Sequence, residues 1–303
     1  ENFVKALEIE NSNDSIKQNL IDIFNYYIPK KINHNLLEIN REIINLNKNY
    51  KFENLKELDF IKNFIRNNLN KIKSLNLNYK ETQIFRRNKI NLNCDRHFKV
   101  FNKFKIIPKY CFNCYKIQID MEDVINLIKL FFIFNNIKLE NNNIRKCIVE
   151  TRENVVGNYK GYIFCTGLDE AKKLLAVISS EINKSGLYIK EIKIKHGCTE
   201  YYQEYPEFEN INYDSEQKFK YRKEWNEKEN LIDNTIGIRK KIDEKIVGPT
   251  LNQISLPDIL IIRNWIAYAK LINDKSSDEI FKQDVKSNYI SDKISNQINL
   301  RNK

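Results

Sequence analysis

The sequence predicts an α+β fold, with a central βαββαβ domain, a cysteine- and histidine-containing module at its start, and helical regions on either side. Two observations predict this fold. Between residues 115 and 197, four segments that alternate apolar and polar residues are separated by segments with helical periodicity. Five of the seven glycines also fall between residues 157 and 197, where the turns of a compact sheet are expected. The predicted units are a helical region 1–90, the module 91–114, the βαββαβ domain 115–197, and an aromatic segment and helical region 198–303.

The composition is that of a globular protein with an excess of positive charge. The formal net charge is +11 at pH 7. This charge favours a polyanion partner such as nucleic acid, but a chain-wide abundance of Lys, Asn and Ile explains it equally well. No apolar run approaches the ~18 residues that a membrane span needs, and no secretory signal is visible. We therefore expect a cytoplasmic protein without a membrane partner, and we leave its true N-terminus open because the chain does not begin with Met.

Both ends of the chain are predicted to be helical. In the first ninety residues, apolar residues recur at helical spacing in three runs, 16–27, 36–46 and 55–72. Near the other end, residues 232–246 are predicted to form a polar helix, and Ser255 with Pro257 favours the start of an apolar one. Such helices offer surfaces for a protein partner, so a structural or assembly role is one functional alternative.

A cluster of metal-type ligands precedes the βαββαβ domain. Cys94, His97, Cys111 and Cys114 form the pattern C-x2-H-x13-C-x2-C. Each pair is close enough in sequence to meet one ion, and residues 98–110 are expected to form a loop or hairpin that returns the second pair. Four ligands predict a zinc-knuckle-like module with a closed, structural Zn²⁺ site. Two alternatives stay open: cysteines that only pack, and a redox pair formed by Cys111 and Cys114.

The other cysteines have different expected roles. Cys147 and Cys165 lie inside predicted strands and are expected in the core. Cys198 forms an H-x-C pair with His196 just past the last strand, and this pair is a weaker source of additional metal ligands. Thiols stay reduced in a cytoplasmic chain, so metal binding is favoured over disulfides.

The elements of the βαββαβ domain follow from local signals. Asp120 is expected to cap the first helix, with Asp123 at its third position. Gly157 and Asn158 mark a hairpin turn between the second and third strands, and Gly186 is expected to end the second helix. The predicted strands are 115–119, 145–152, 160–166 and 188–195, and the predicted second helix is 170–182.

This element order is that of a ferredoxin-like domain, in which helices cover one face of an antiparallel sheet. Within that class, residues 115–197 resemble an RNA-recognition motif. The resemblance is carried by Lys-Gly-Tyr-Ile-Phe-Cys at 160–165, which is similar to the family's RNP1 motif. The matching positions are Lys160, Gly161, Tyr162 and Phe164. The resemblance implies that single-stranded RNA binds on the sheet face.

Some positions depart from that family's pattern. Ile163 and Cys165 replace its usual small residue and valine, and Gly167 stands where a closing aromatic residue is usual. The first strand has no aromatic residue at the RNP2 stacking position, since it reads Lys116-Ile-Gln-Ile119. These departures place the stacking of two bases in question.

Strand periodicity identifies the same face independently. Alternate residues of a strand point to opposite faces, so the residues that alternate with Ile117 and Ile163 share the face away from the helices. Aromatic rings among lysines suit stacking with bases while ammonium groups contact phosphate. The predicted nucleic-acid-binding residues are Lys116, Lys160, Tyr162, Phe164, Lys193 and Lys195.

The same sheet allows a different function. The segment 198–222 is dense in aromatic residues and is a candidate to cover the sheet face, which would make Tyr162 and Phe164 core residues. A covered face would favour an enzyme or a small-molecule-binding protein with a pocket between the sheet and the C-terminal region. Whether the chain is an enzyme stays open, because no nucleotide-binding or hydrolase motif occurs in it.

Overall fold

A five-stranded antiparallel sheet lies at the centre of the chain, which has a mixed α+β fold. The computed structural model describes residues 13–24, 34–49, 58–73, 78–86, 92–153, 155–236 and 253–301, together with residues 2 and 5. The strands are β1 (Gln83–Arg86), β2 (Cys114–Met121), β3 (Arg145–Val149), β4 (Tyr159–Thr166) and β5 (Ile189–His196). The helices are α1 (Asp14–Phe24), α2 (Asn35–Asn49), α3 (Leu58–Lys73), α4 (Cys94–Phe104), α5 (Val124–Asn136), α6 (Leu168–Ser185), α7 (Trp225–Ile236), α8 (Leu256–Leu271), α9 (Asn288–Ile294) and α10 (Ile298–Arg301).

The strand order across the sheet is β1-β3-β4-β2-β5. Helix α5 connects β2 to β3, and helix α6 connects β4 to β5, so both crossovers skip a strand. Strands β2 and β4 pair along their whole length, from Cys114 opposite Thr166 to Met121 opposite Tyr159. This long central pairing fixes which residues lie side by side on each face of the sheet.

Helices α5 and α6 cover one face of the sheet. Ile117 and Ile163 of the two central strands are fully buried in the main core on this side. Gly161 is required by the packing, because a β-carbon there would lie 2.3 Å from Cδ2 of Leu130 in α5. Gly186 ends α6 with a positive φ of 63°, as predicted.

Helix α8 lies behind α5 and joins the terminal helices to it. Ser255 begins α8 with a capping box that includes Asp258. The helix contacts α1, α2, α3 and α5, and it is apolar on most sides, with Trp265 fully buried. Asp258 also forms a buried ion pair with Arg86 of β1, at 3.0 Å. Helices α1, α2 and α3 therefore pack with α8 on the helix-covered side of the sheet.

A second, smaller core lies at the end of the sheet where β2 begins and β5 ends. It joins α4, the 3-10 turn 109–113, the aromatic segment 198–222 and α7. Its buried members are Val100, Phe101, Ile106, Ile107, Cys111, Tyr201, Phe208, Trp225 and Ile232. The aromatic segment thus contributes to a core of its own beside the sheet.

Two predicted elements are wrong. Residues 83–86 form strand β1, although the first ninety residues were predicted to be helical throughout. This edge strand is too short for a period-two pattern to stand out. Residues 98–104 belong to helix α4, although a loop or hairpin was predicted there. The buried residues His97, Val100 and Phe101 follow helical spacing, and a left-handed Lys105 ends the helix.

Some cap assignments also change. Asp123, not Asp120, caps α5, because its side chain accepts a hydrogen bond from the backbone N–H of Asn126 at 2.8 Å. The predicted helix 232–246 corresponds to α7, which the structure describes to Ile236; residues 237–246 lie outside the described residues.

Among the described helices, none combines the length and the apolar character needed to cross a bilayer.

Candidate metal centre and nucleic-acid interface

The four predicted metal ligands line one cavity between the sheet and the second core. Cys94 is the first residue of α4, and His97 lies one turn later on the same side of the helix. Cys111 lies in the 3-10 turn, and Cys114 is the first residue of β2. Cys94 and Tyr110 are its exposed residues.

Cys198 is a fifth ligand-type residue of this cavity. It follows β5, whose last residue His196 is paired with Tyr115 of β2. The backbone N–H of Gly197 also donates to the carbonyl oxygen of Cys114, at 2.7 Å. The pairing of β2 with β5 thus brings Cys198 beside the other cysteines. The H-x-C pair was the only sequence signal for it, and the strand pairing that gives it meaning is not local.

The four thiol groups of the cavity lie within electrostatic range of one another. Burial raises the pKa of Cys94, Cys111 and Cys114, and that of Cys114 reaches about 11. Negative charge on the neighbouring sulfur atoms, including Cys198, raises these pKa values further. Without a cation in the cavity, these three thiols are therefore protonated at neutral pH.

Two of the sulfur atoms have polar partners. Sγ of Cys111 lies 3.3 Å from the hydroxyl oxygen of Tyr201. Nζ of Lys116 donates to Sγ of Cys198 at 3.0 Å. Burial favours the neutral amine of Lys116, whereas thiolates at Cys198 and Cys114 would raise the pKa of Lys116 overall.

His97 is buried and lies next to Arg96, which binds two carboxylates of α7. Its ring stacks on Tyr110, with 5.2 Å between ring centroids. Nδ1 lies 3.4 Å from Nη1 of Arg96, and Nε2 has no hydrogen-bond partner among the described residues. Arg96 binds both carboxylate oxygens of Asp233, at 2.8 and 2.7 Å, and also contacts Glu229. Burial and the adjacent guanidinium lower the pKa of His97, so its ring is neutral at pH 7.

The described side chains are not yet arranged around a metal position. No three His, Cys, Asp or Glu side chains of the described part of the chain form a group that could hold an ion as they stand. His196 is not available, because Nδ1 and Nε2 lie 2.9 and 3.0 Å from the carbonyl oxygens of Phe208 and Phe112. Metal binding therefore requires the ligand side chains to come closer together than they stand here.

The sheet face opposite α5 and α6 carries three rows of side chains, which the strand register defines. The row beside the cavity contains Phe164, Lys116 and Lys195. The middle row contains Phe85, Lys146, Tyr162, Gln118 and Lys193. The far row contains Gln83, Ile148, Lys160, Asp120 and Glu191. Both strand carboxylates lie in the far row, so the two rows nearer the cavity are cationic and aromatic.

Two of the predicted nucleic-acid-binding lysines are paired with carboxylates. Lys160 is 1% exposed, and its Nζ lies 3.5 Å from Oε2 of Glu150. Glu150 also binds Arg152 at 2.8 Å. Lys193 is exposed, and its Nζ lies 2.5 Å from Oε2 of Glu191. Lys160 therefore belongs to a buried ion-pair network, whereas Lys193 can exchange its partner at the surface.

Lys116, Lys146 and Lys195 have no carboxylate within ion-pair distance in the described part of the chain. Nζ of Lys146 instead lies 5.2 Å from the ring centroid of Tyr162 and 5.6 Å from that of Phe85. Burial and the nearby charge of Lys116 lower the pKa of Lys146 to about 8. The same two causes lower the pKa of Lys195 to about 8. These lowered pKa values report burial together with the mutual repulsion of lysines that form no ion pair with a carboxylate of the described residues.

The two predicted stacking residues differ in accessibility. Tyr162 is 6% exposed, whereas Phe164 is half-buried and also lines the cavity. Burial raises the pKa of the Tyr162 hydroxyl, and Arg152 after β3 forms an ion pair with Glu200 after β5, at 2.7 Å. Part of the sheet face is therefore covered at the middle row.

Two residues of this face were missed by the sequence reasoning. Lys146 lies two residues before Ile148 in the same strand, so period two places both on the same face of the sheet. The position of Lys146 on this face was therefore predictable from the sequence. Tyr202 lies beyond the sheet, and its ring centroid is 4.9 Å from Nζ of Lys195. Nothing in the local sequence connects Tyr202 to that lysine, because the contact depends on the turn after β5.

No family model, curated protein or solved structure matches this chain. Its chemistry is therefore indicated by two adjoining features, a cavity lined by cysteines and a face with unneutralised lysines. Lys116 belongs to both, since it contacts Cys198 and lies 5.2 Å from the ring centroid of Phe164. The first feature suits a thiophilic metal ion, and the second suits an anion with flat rings.

Proposed function

We propose that the protein binds single-stranded nucleic acid, in particular RNA, on the sheet rows beside the cavity. One observation carries this proposal. Lys116, Lys146 and Lys195 share a face with aromatic rings and have no carboxylate partner in the described structure, so their repulsion is relieved when phosphate groups approach. Phe164 and Tyr202 supply rings on which bases stack.

The proposed contact set differs from the one predicted from the sequence. Lys116, Phe164 and Lys195 are retained, and Lys193 lies at the rim of the surface. Lys160 and Tyr162 support the surface from beneath, because both are buried. Their match to the RNP1 motif therefore carries less of the proposal than the arrangement of the lysines does.

We also propose that strands β2 to β5, with α5 and α6, form a ferredoxin-like domain of the RNA-recognition-motif kind. The strand order β3-β4-β2-β5 and the crossover positions of the two helices support this assignment. Strand β1 is then an addition at the β3 edge. A structural zinc ion in the cavity is the third part of the proposal, and it is supported by the convergence of Cys94, His97, Cys111 and Cys114.

The test is a fluorescence-anisotropy titration of the full chain with a labelled RNA of about twelve nucleotides, within the site sizes of single-strand binders. We expect the logarithm of the binding constant to fall linearly with the logarithm of salt concentration, and Lys195→Met to lower the magnitude of that slope by about 0.7. Phe164→Leu is expected to weaken binding by about 1–3 kcal/mol, because it removes a stacking surface. Lys184→Met on α6 is the control, since Lys184 is exposed on the helix-covered side.

Wild-type binding that does not depend on salt would contradict the proposal, as would equal affinities for wild type and both sheet variants. Tyr162→Ala is unsuitable as a test, because emptying a buried aromatic site costs about 3–5 kcal/mol of stability. A small polyanion such as a nucleotide is the second candidate ligand, and the partial cover over Tyr162 favours it. If a mononucleotide displaces the labelled RNA as effectively as an unlabelled oligonucleotide does, the ligand is the small polyanion.

A further inference from the structure

Five metal-type ligands surround the cavity, which is one more than a tetrahedral ion uses. They come from three separate parts of the chain: the start of α4, the turn leading into β2, and the residues after β5. The choice of the fourth ligand, besides Cys94, Cys111 and Cys114, lies between His97 and Cys198. Their polar contacts distinguish them.

We infer that Cys198 is the fourth ligand and that the cavity binds one zinc ion through four cysteines, an inference that rests on the zinc part of the proposed function. In this arrangement His97 stays outside the coordination sphere and stacks on Tyr110. Four protein ligands leave no position for water or substrate, so the ion has a structural role. Each thiol gives up its proton to solvent as it binds.

The environment of His97 disfavours ligation. Its Nδ1 faces the guanidinium of Arg96 at 3.4 Å, and a guanidinium only donates hydrogen bonds. Nδ1 therefore accepts, which leaves the ring proton of the neutral histidine on Nε2. A protonated ring nitrogen has no lone pair for a metal. Arg96 is itself held by Asp233 and Glu229, so it does not swing away easily.

The environment of Cys198 favours ligation. Nζ of Lys116 donates to its sulfur atom at 3.0 Å, and such a donor can keep its hydrogen bond when the sulfur atom binds a metal. A zinc ion with four thiolates also carries a formal charge of about −2. Lys116 lies against that charge, and Lys146 is close enough for Cys198 to influence its pKa. Groups that donate hydrogen bonds to the metal-binding atoms commonly surround protein metal sites.

The predicted ion would join distant parts of the fold. Cys111 and Cys114 precede and begin β2, whereas Cys198 follows β5, the partner strand of β2. Cys94 begins the helix that supports the second core. One ion would thus bind the two strand ends to α4, beneath the row that contains Phe164, Lys116 and Lys195.

The experiment uses the full chain, stripped of metal and titrated with Co²⁺ alone, because the sulfur-to-cobalt charge-transfer band grows with the number of bound thiolates. We expect one Co²⁺ per chain, a loss of about a quarter of the band in Cys198→Ser, and an unchanged band in His97→Gln. Cys147→Ala is the matched control, because that cysteine lies in β3 outside the cavity. A band that falls in His97→Gln and persists in Cys198→Ser overturns the inference, as does a chain that binds no Co²⁺.

A second measurement needs no variant. Zn²⁺ is expected to protect Cys198 from alkylation in the wild-type chain, read by peptide mass spectrometry. Alkylation of Cys198 at the same rate with and without Zn²⁺ overturns the inference. Oligonucleotide binding is measured separately. A chain that binds RNA but no metal contradicts the zinc part of the proposed function and this inference with it. A chain that binds one Co²⁺ with a band that falls in His97→Gln and persists in Cys198→Ser contradicts this inference alone, and a chain that binds metal but no RNA contradicts the nucleic-acid proposal alone.

Discussion

Replacing Lys146 by methionine should raise stability and lower nucleic-acid affinity at the same time. Lys146 is the lysine whose ammonium group lies over three aromatic rings, those of Phe85, Tyr162 and Phe164. If Lys146 served only to pack against its neighbours, its substitution would lower the stability of the protein. A residue kept for binding is expected to cost stability in the free protein and to contribute to affinity in the complex.

The size of the stability gain follows from the lowered pKa. Burial and the charge of Lys116 lower the pKa of Lys146 from 10.5 to about 8. At about 1.4 kcal/mol per tenfold change, that difference destabilises the charged folded form by roughly 3 kcal/mol. Cation–π contacts offset about 1–2 kcal/mol of this cost. Methionine keeps the apolar stem and makes sulfur–aromatic contacts, so we expect a net gain of about 1–2 kcal/mol at pH 7.

The stability gain of Lys146→Met depends on pH. Below pH 8 the lysine is charged in both the folded and the unfolded state, so the full cost is present in the wild type. Between pH 8 and 10.5 the unfolded chain binds more protons than the folded chain at this site, so wild-type stability rises there. The advantage of Lys146→Met is therefore largest below pH 8 and shrinks above it.

The assay pairs urea denaturation with RNA titration for the same variant. We expect the free energy of unfolding to rise and the salt dependence of binding to lose about 0.7 in slope, which corresponds to one phosphate contact on a single strand. Lys184→Met makes the same change in charge on the exposed end of α6 and should alter unfolding by less than about 0.5 kcal/mol. The reasoning is refuted if Lys146→Met lowers stability or leaves the salt slope unchanged.

Three further outcomes are expected. RNA affinity at constant salt should stay level below about pH 8 and fall above it, because Lys146 and Lys195 then lose the protons that phosphate binding requires; titrations that remain level to about pH 10 would contradict this. Gly161→Ala should cost about 1–3 kcal/mol in urea denaturation, because its β-carbon overlaps α5, and an unchanged midpoint would show that the helix shifts freely. Arg86→Met should cost about 3–5 kcal/mol in urea denaturation, because it leaves Asp258 buried without its cation; a loss below about 1 kcal/mol would contradict this prediction.

The sequence by itself determined the order of elements from β2 to β5 and the helix-facing side of the sheet. Ile117 and Ile163 alternate with polar residues, and period two assigns such residues to one face whatever surrounds the strand. Gly186 ended a helix because a left-handed residue there favours glycine. Sequence spacing also predicted that Cys94 lies near His97 and that Cys111 lies near Cys114, because each pair spans a single turn. These signals act over a few residues and therefore survive without knowledge of the fold.

Only the tertiary structure decided the membership of the cavity and the surface. Cys198 joins the other cysteines because β5 pairs with β2, a contact across about eighty residues of chain. Lys160 is buried and forms an ion pair with Glu150, so it is not part of the proposed binding surface. Lys146 is part of that surface, because no carboxylate of the described residues forms an ion pair with it. Pairing between distant strands and the matching of charges across them depend on register and docking, which local periodicity does not specify.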